Sequence, residues 1–134
     1  MCWRWVRVSP LPQVGSDLQQ FAQGMGQDGT VDRTKALDCA SWGALFLLAI
    51  GDTHKAAQAI STADRVYANV HGGVRGYRPY DGKPIYDNVL IQRLFLPDTP
   101  AVQWQDLSFV WSEGTLGVAL AHGRMGHTAP ARAL

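Results

Sequence analysis

The chain is short of most features that quickly assign a protein to a class. It holds two cysteines in 134 residues, Cys2 and Cys39, too few for the disulfide framework of a small secreted domain. Neither sign of charge dominates, with 12 Lys and Arg against 11 Asp and Glu. That balance excludes the basic stripe of a nucleic-acid-binding domain and the polybasic patch of a membrane-surface protein. No apolar run approaches the roughly 20 residues that cross a bilayer, and the opening Met-Cys-Trp-Arg-Trp-Val-Arg-Val-Ser-Pro lacks the continuous core of a signal peptide. Partners of nucleic-acid or membrane type are therefore not expected, and localisation is left open. No His, Cys, Asp or Glu spacing suits a metal, and no Gly-rich loop follows a strand, so neither metal nor cofactor is expected. His54, His71 and His127 are scattered, and His122 reads as a hydrogen-bonded interior histidine.

What the chain does have is an apolar stretch at 37–50, Leu-Asp-Cys-Ala-Ser-Trp-Gly-Ala-Leu-Phe-Leu-Leu-Ala-Ile, closed by Gly51. A helix apolar on nearly every side is expected to be buried on every side. After Gly51, Asp52 and Thr53 can cap a second helix over 54–70, whose apolar residues recur at three- and four-residue spacing. A buried helix followed across a glycine by an amphipathic one reads as an inner and outer αα-hairpin. A further apolar segment, 110–125, can be capped by Ser112 and ends at Gly126. Residues 1–15 read as irregular, and Ser16 can start a short helix over 17–23. Between the helices, 71–108 is a long insertion punctuated by Gly and Pro. A short β-hairpin of 74–80 with 83–90 around Asp81-Gly82 is possible there.

An offset of about 75 positions lays Gly51 on Gly126, Asp38 on Glu113 and Thr53 on Thr128. Both copies place a carboxylate at the start of an apolar helix and a glycine at its end. The second outer helix only begins near Pro130, a residue suited to a first helical turn. On this reading the chain is a fragment of a longer repeat protein. Asp-Cys-Ala-Ser-Trp-Gly-Ala-Leu at 38–45, Gly-Tyr-Arg-Pro-Tyr at 76–80 and Trp-Ser-Glu-Gly-Thr-Leu-Gly-Val-Ala-Leu-Ala at 111–121 resemble the six-hairpin glycosidase superfamily. That resemblance implies an all-α fold, a partial (α/α)6 toroid in which 16–134 supplies about two of six hairpins. It also implies bacterial carbohydrate-active enzymes as the relatives, a carbohydrate as substrate, and the remainder of the toroid as the missing partner.

In an up-down array Asp38 and Glu113 should share one end with the 71–108 insertion. A carboxylate pair, tyrosines and tryptophans on one rim suit a sugar, whose apolar face stacks on rings while its hydroxyls find polar partners. Asp38 and Glu113 are the candidate catalytic groups, with helix capping as the alternative. Glu113, beside Trp111, is expected to be the more desolvated and to take the larger catalytic share. Asp38 is expected to bind substrate or support the helix. Trp42, Trp111, Tyr77, Arg78 and Tyr86 are the candidate sugar contacts, with packing roles as the alternative. The leading expectation is part of a glycoside hydrolase. A non-catalytic helical repeat module that binds glycan or protein is the alternative, and an isoprenoid-type helical toroid is disfavoured by the lack of an Asp-rich motif.

Overall fold

The computed structural model describes residues 5–8, 18–32, 34–82 and 109–134. Its elements run β1 (Trp5–Val8), β2 (Leu18–Phe21), β3 (Gly24–Met25), β4 (Val31–Asp32), β5 (Lys35–Ala36), α1 (Leu37–Ala49), α2 (Thr53–Val66), β6 (Ala68–His71), β7 (Val74–Tyr77), β8 (Tyr80–Asp81), α3 (Ser112–Arg124) and α4 (Thr128–Ala133). The strands pair as antiparallel ribbons, β1 with β2, β3 with β4, β5 with β8 and β6 with β7. The all-α expectation, and with it the partial toroid, is overturned: helices and short strands share the fold.

The strand pairs arise where local helix formation is weakest. A seven-residue helix over 17–23 would lack the length to offset nucleation. Leu18–Phe21 instead forms a ladder with Trp5–Val8, in register from Trp5 opposite Phe21 to Val8 opposite Leu18. Residues 5–8 are thus ordered strand, within a stretch expected to be irregular. β2 lies over α1 and α2 and buries Gln20 and Phe21. The Gln20 amide donates to the Ala36 carbonyl at 3.3 Å and accepts from the Tyr67 hydroxyl at 2.8 Å, so a buried polar group keeps its partners.

The second helix ends at Val66, short of the expected 70. Residues 68–71 pair with 74–77 about Gly72 and Gly73, whose φ angles of 55° and 81° suit a two-residue hairpin turn. The expected partner of 74–80 was 83–90, which lies outside the described residues. Tyr80–Asp81 pairs instead with Lys35–Ala36, tied by Lys35 Nζ to Asp81 Oδ2 at 3.1 Å.

α1 and α2 form an antiparallel hairpin, and α3 packs along α1. Ala40, Ala44, Ala56, Ala59 and Ala63 are fully buried in its core. The limits of α1 and α3 differ by the same offset, Leu37 to Ser112 and Ala49 to Arg124. Both helices end in the same capping motif. Gly51 and Gly126 have φ of 81°. Gly51 N–H donates to Leu48 O at 3.2 Å and Asp52 N–H to Leu47 O at 2.9 Å, matched by Gly126 to Gly123 at 3.1 Å and His127 to His122 at 2.9 Å. The sequence repeat is therefore a structural one. Burial on every side of α1 is not observed, because Trp42, Phe46 and Ile50 are exposed.

The α1–α3 contact depends on a missing side chain. A Cβ at Gly114 would meet the Trp111 ring and lie 2.6 Å from Leu37 Cδ2, and Leu37 is fully buried. Alanine normally stabilises a helix interior over glycine by roughly 0.5–1 kcal/mol. At Gly114 overpacking reverses the sign: Gly114→Ala is expected to lose about 1–3 kcal/mol in urea unfolding. Gly123→Ala, whose nearest neighbour is Ala131 at 4.0 Å, should be neutral or stabilising. Equal effects at the two sites would contradict the packing described.

Candidate functional site

The segment 77–81 builds one end of the molecule. Leu37 N–H, the first amide of α1, donates to Pro79 O at 2.8 Å, and Trp111 N–H, just before α3, donates to Tyr77 O at 2.8 Å. Residues 36 and 111 are both extended, at φ/ψ of −110°/135° and −90°/106°. Each helix thus enters from a strand-like step docked on the same segment. Thr115 reinforces the second step: its hydroxyl donates to Trp111 O at 2.8 Å and accepts from Tyr77 N–H at 3.0 Å.

Asp38 and Glu113 stand at matching positions in the first turns of α1 and α3, at this shared end. Each feels the positive end of its helix, yet their surroundings differ. Asp38 is partly buried and flanked by α3. Its Oδ1 is buried and accepts no hydrogen bond among the described residues, so simple capping does not account for it. Burial, and after it the negative charge of Glu113, hold the Asp38 carboxyl above the usual carboxylate range. Glu113 is exposed, because its corresponding flank is an uncovered face of α3. The expected desolvation therefore falls on Asp38 and not on Glu113.

The aromatic candidates divide. Trp111 is partly buried, its ring over the first turn of α3 where a Gly114 side chain would stand. Trp42 is exposed one turn below Asp38, its Cε2 3.8 Å from a Cβ placed at Gly117. Both remain near the carboxylates. Tyr77 and Arg78 are committed elsewhere. The Tyr77 ring is buried and its hydroxyl donates to Asp64 Oδ1 at 2.6 Å, and burial raises its pKa. Arg78 Nη2 donates to Val66 O at 2.6 Å and pairs with Asp81 at 3.4 Å. These two hold the rim together, and Arg78 Nε is buried without a hydrogen-bond partner among the described residues. Tyr86 lies outside the described residues.

A second polar cluster escaped sequence reasoning. His122 is buried on α3, with Nε2 3.2 Å from Asp64 Oδ1 and Nδ1 3.3 Å from His127 Nδ1. It borders a cleft of about 550 Å³ that is also lined by Asn69, Arg75 and Tyr77. The interior-histidine reading of His122 agrees with this placement. Its link to Asp64, 58 positions away, left no local signal. Cys39 is buried and its thiol is pushed up to about 12 by burial, then by Asp38 and Asp32, a poor nucleophile at neutral pH. Among the described residues no group of three or more His, Cys, Asp or Glu could hold a metal ion. Among them, too, no helix is long and apolar enough to cross a membrane.

Comparison with protein-family models, characterised proteins and solved structures finds no match to this chain.

The site makes a pH-dependent claim about stability. A carboxyl whose pKa is raised on folding favours the folded state below its unfolded pKa, and that contribution is lost as pH rises through the folded value. Ionising Asp38 in the folded chain therefore costs stability. The stability of Asp38→Asn relative to wild type, measured by denaturant unfolding, should improve as pH rises from acid to neutral. A difference that is flat, or that moves the other way, would contradict the burial of an unpaired Asp38 oxygen.

Proposed function

We propose that the chain carries the carboxylate rim of a carbohydrate-active enzyme of the glycoside hydrolase type, in which Asp38 holds a proton and Glu113 a charge. The observation that carries this reading is the pairing of a partly buried carboxyl, one oxygen without a partner among the described residues, with an exposed carboxylate at the common end of α1 and α3. Burial and a neighbouring negative charge both favour the protonated form of Asp38, which is what a general acid needs. Glycosidic cleavage divides its work between such an acid and a second, ionised carboxylate.

In the proposed reaction Asp38 gives its proton to the departing glycosidic oxygen. Glu113 stabilises the positive charge that develops on the sugar ring, or activates the attacking water. Trp111 and Trp42 flank the pair and offer apolar faces to the sugar. The motif resemblance to six-hairpin glycosidases supports the substrate class, while the acid–base assignment stands on burial and charge alone. The roles of the two carboxylates are thereby exchanged relative to the sequence-based expectation.

The test is hydrolysis of a panel of oligosaccharides and aryl glycosides by the wild-type chain, Asp38→Asn and Glu113→Gln. On a substrate the wild type cleaves, Asp38→Asn should lower turnover by roughly 10²-fold or more with folding intact. Aryl glycosides with good leaving groups, which need little proton assistance, should suffer less. In any residual activity of Glu113→Gln, the alkaline limb of the pH profile should move to lower pH, since the neighbouring charge that helps Asp38 keep its proton is gone. Glycan binding without turnover would assign the rim to a non-catalytic module. No binding and no turnover across the panel would remove the carbohydrate reading altogether.

A further inference from the structure

We infer that His122 and His127 form an acid-released latch between α3 and α4. It is closed while one proton lies between their facing nitrogens and opens when both rings are fully protonated. The inference is independent of the carbohydrate reading, since the pair stands at the end of α3 remote from Asp38 and Glu113. The backbone brings the two rings together. In the ending shared by α1 and α3, the N–H of the residue after the glycine donates to the carbonyl five positions back, and the side chains at those two positions ordinarily meet in an apolar contact. In α1 they are Leu47 and Asp52, and the Asp52 carboxylate turns to the next helix, accepting from Lys55 N–H at 3.1 Å. In α3 they are His122 and His127. The His127 side chain does not cap α4; its Nδ1 lies 3.3 Å from His122 Nδ1 instead.

The direction of each hydrogen bond follows from its partners. The Tyr77 hydroxyl, whose proton is held by burial, donates to Asp64 Oδ1 at 2.6 Å. A carboxylate only accepts, so His122 Nε2, 3.2 Å from the same oxygen, is the protonated nitrogen. In the neutral ring Nδ1 then carries the lone pair, and the proton in the contact comes from His127 Nδ1. Ring centroids 5.5 Å apart, with the nitrogens 3.3 Å apart, place the two nitrogens between the rings and facing each other. One added proton enters at His127 Nε2, leaves the contact intact and makes it charge-assisted. A second sets N–H against N–H and two positive charges side by side.

The surroundings do not balance that second charge. α2 contributes the Asp64 carboxylate, and β7 the Tyr77 hydroxyl and the Arg75 cation. Arg124 on α3 and Arg132 on α4 are exposed. The titratable groups of α1, Asp38 and Cys39, lie near its start, at the far end of α3 from His122. One carboxylate therefore stands against two imidazolium rings. Pro130 and Ala133 of α4, with Leu134 after them, line the cleft that His122 borders, so opening the latch releases that wall of the cleft.

Long-range proton–nitrogen correlation of the histidine rings in the full chain, with amide hydrogen exchange, decides the matter, and far-UV circular dichroism serves as the folding control. At about pH 8, His122 should carry its proton on Nε2 and His127 on Nδ1. As pH falls to about 5, across the range in which histidine titrates, protection of the His127 and Ala131 amides should drop. The expected loss is about tenfold or more, the scale of a hydrogen bond between charged groups, while the Tyr67 amide at the end of α2 keeps its protection. His127→Gln, at an exposed position, leaves one ring to charge and should abolish the acid-dependent loss. Both rings protonated on Nε2 at about pH 8 would overturn the inference. So would protection that stays level in the wild type, a loss that Tyr67 shares equally, or a loss that His127→Gln leaves unchanged.

Discussion

The architecture depends on one constraint, the docking of both inner-helix entrances on the short segment 77–81. Pro79 O receives the first amide of α1 and Tyr77 O the residue before α3, both at 2.8 Å. The two helix entrances are thereby tied to carbonyls two residues apart, one at the end of β7 and one in the step to β8, which brings the starts of α1 and α3 to one end of the molecule. Everything at the rim follows from that. Asp38 and Glu113 meet because each sits in the first turn of its helix, and Trp111 is held over α3 because its own backbone makes the step. The Tyr77 hydroxyl bonds Asp64, and Arg78 Nη2 bonds Val66 and Asp81, fixing the segment that fixes the helices.

The inequality of the two carboxylates follows from the same arrangement. By backbone position they are equivalent, and each gains from its helix dipole. What separates them is burial: Asp38 is partly buried, between Leu37 and Ser41 that lie against α3, and Glu113 is exposed. Desolvation acts on the covered group and then Glu113 adds its charge. Two carboxylates at equivalent backbone positions thus have unequal surroundings, one partly buried and one exposed.

Much of this organisation is legible in the residues. Gly51 and Gly126 announce the same helix ending, and Asp38 and Glu113 the same beginning, because capping is local and glycine alone takes the required φ without strain. The strands were not legible, for a physical reason. Lys35–Ala36 and Tyr80–Asp81 are two-residue pieces joined across 46 positions, too short for any periodicity and paired only once the chain has folded. The end of α2 at Val66 was hidden likewise, since helix-spaced Val70 is captured by the ribbon about Gly72-Gly73. Composition also could not tell a helix buried on all sides from one that keeps an apolar stripe open, as Trp42, Phe46 and Ile50 do. The unequal burial of Asp38 and Glu113 was equally out of reach, because it depends on tertiary packing.

The most direct measurement is a carboxyl-carbon NMR titration of Asp38 in the wild type and in Glu113→Gln. The account predicts an Asp38 pKa above the ordinary aspartate value in the wild type. It should fall part of the way in Glu113→Gln, since burial, the larger cause, persists when the neighbouring charge is removed. An Asp38 that titrates at or below the ordinary value in both proteins would contradict the account at its centre.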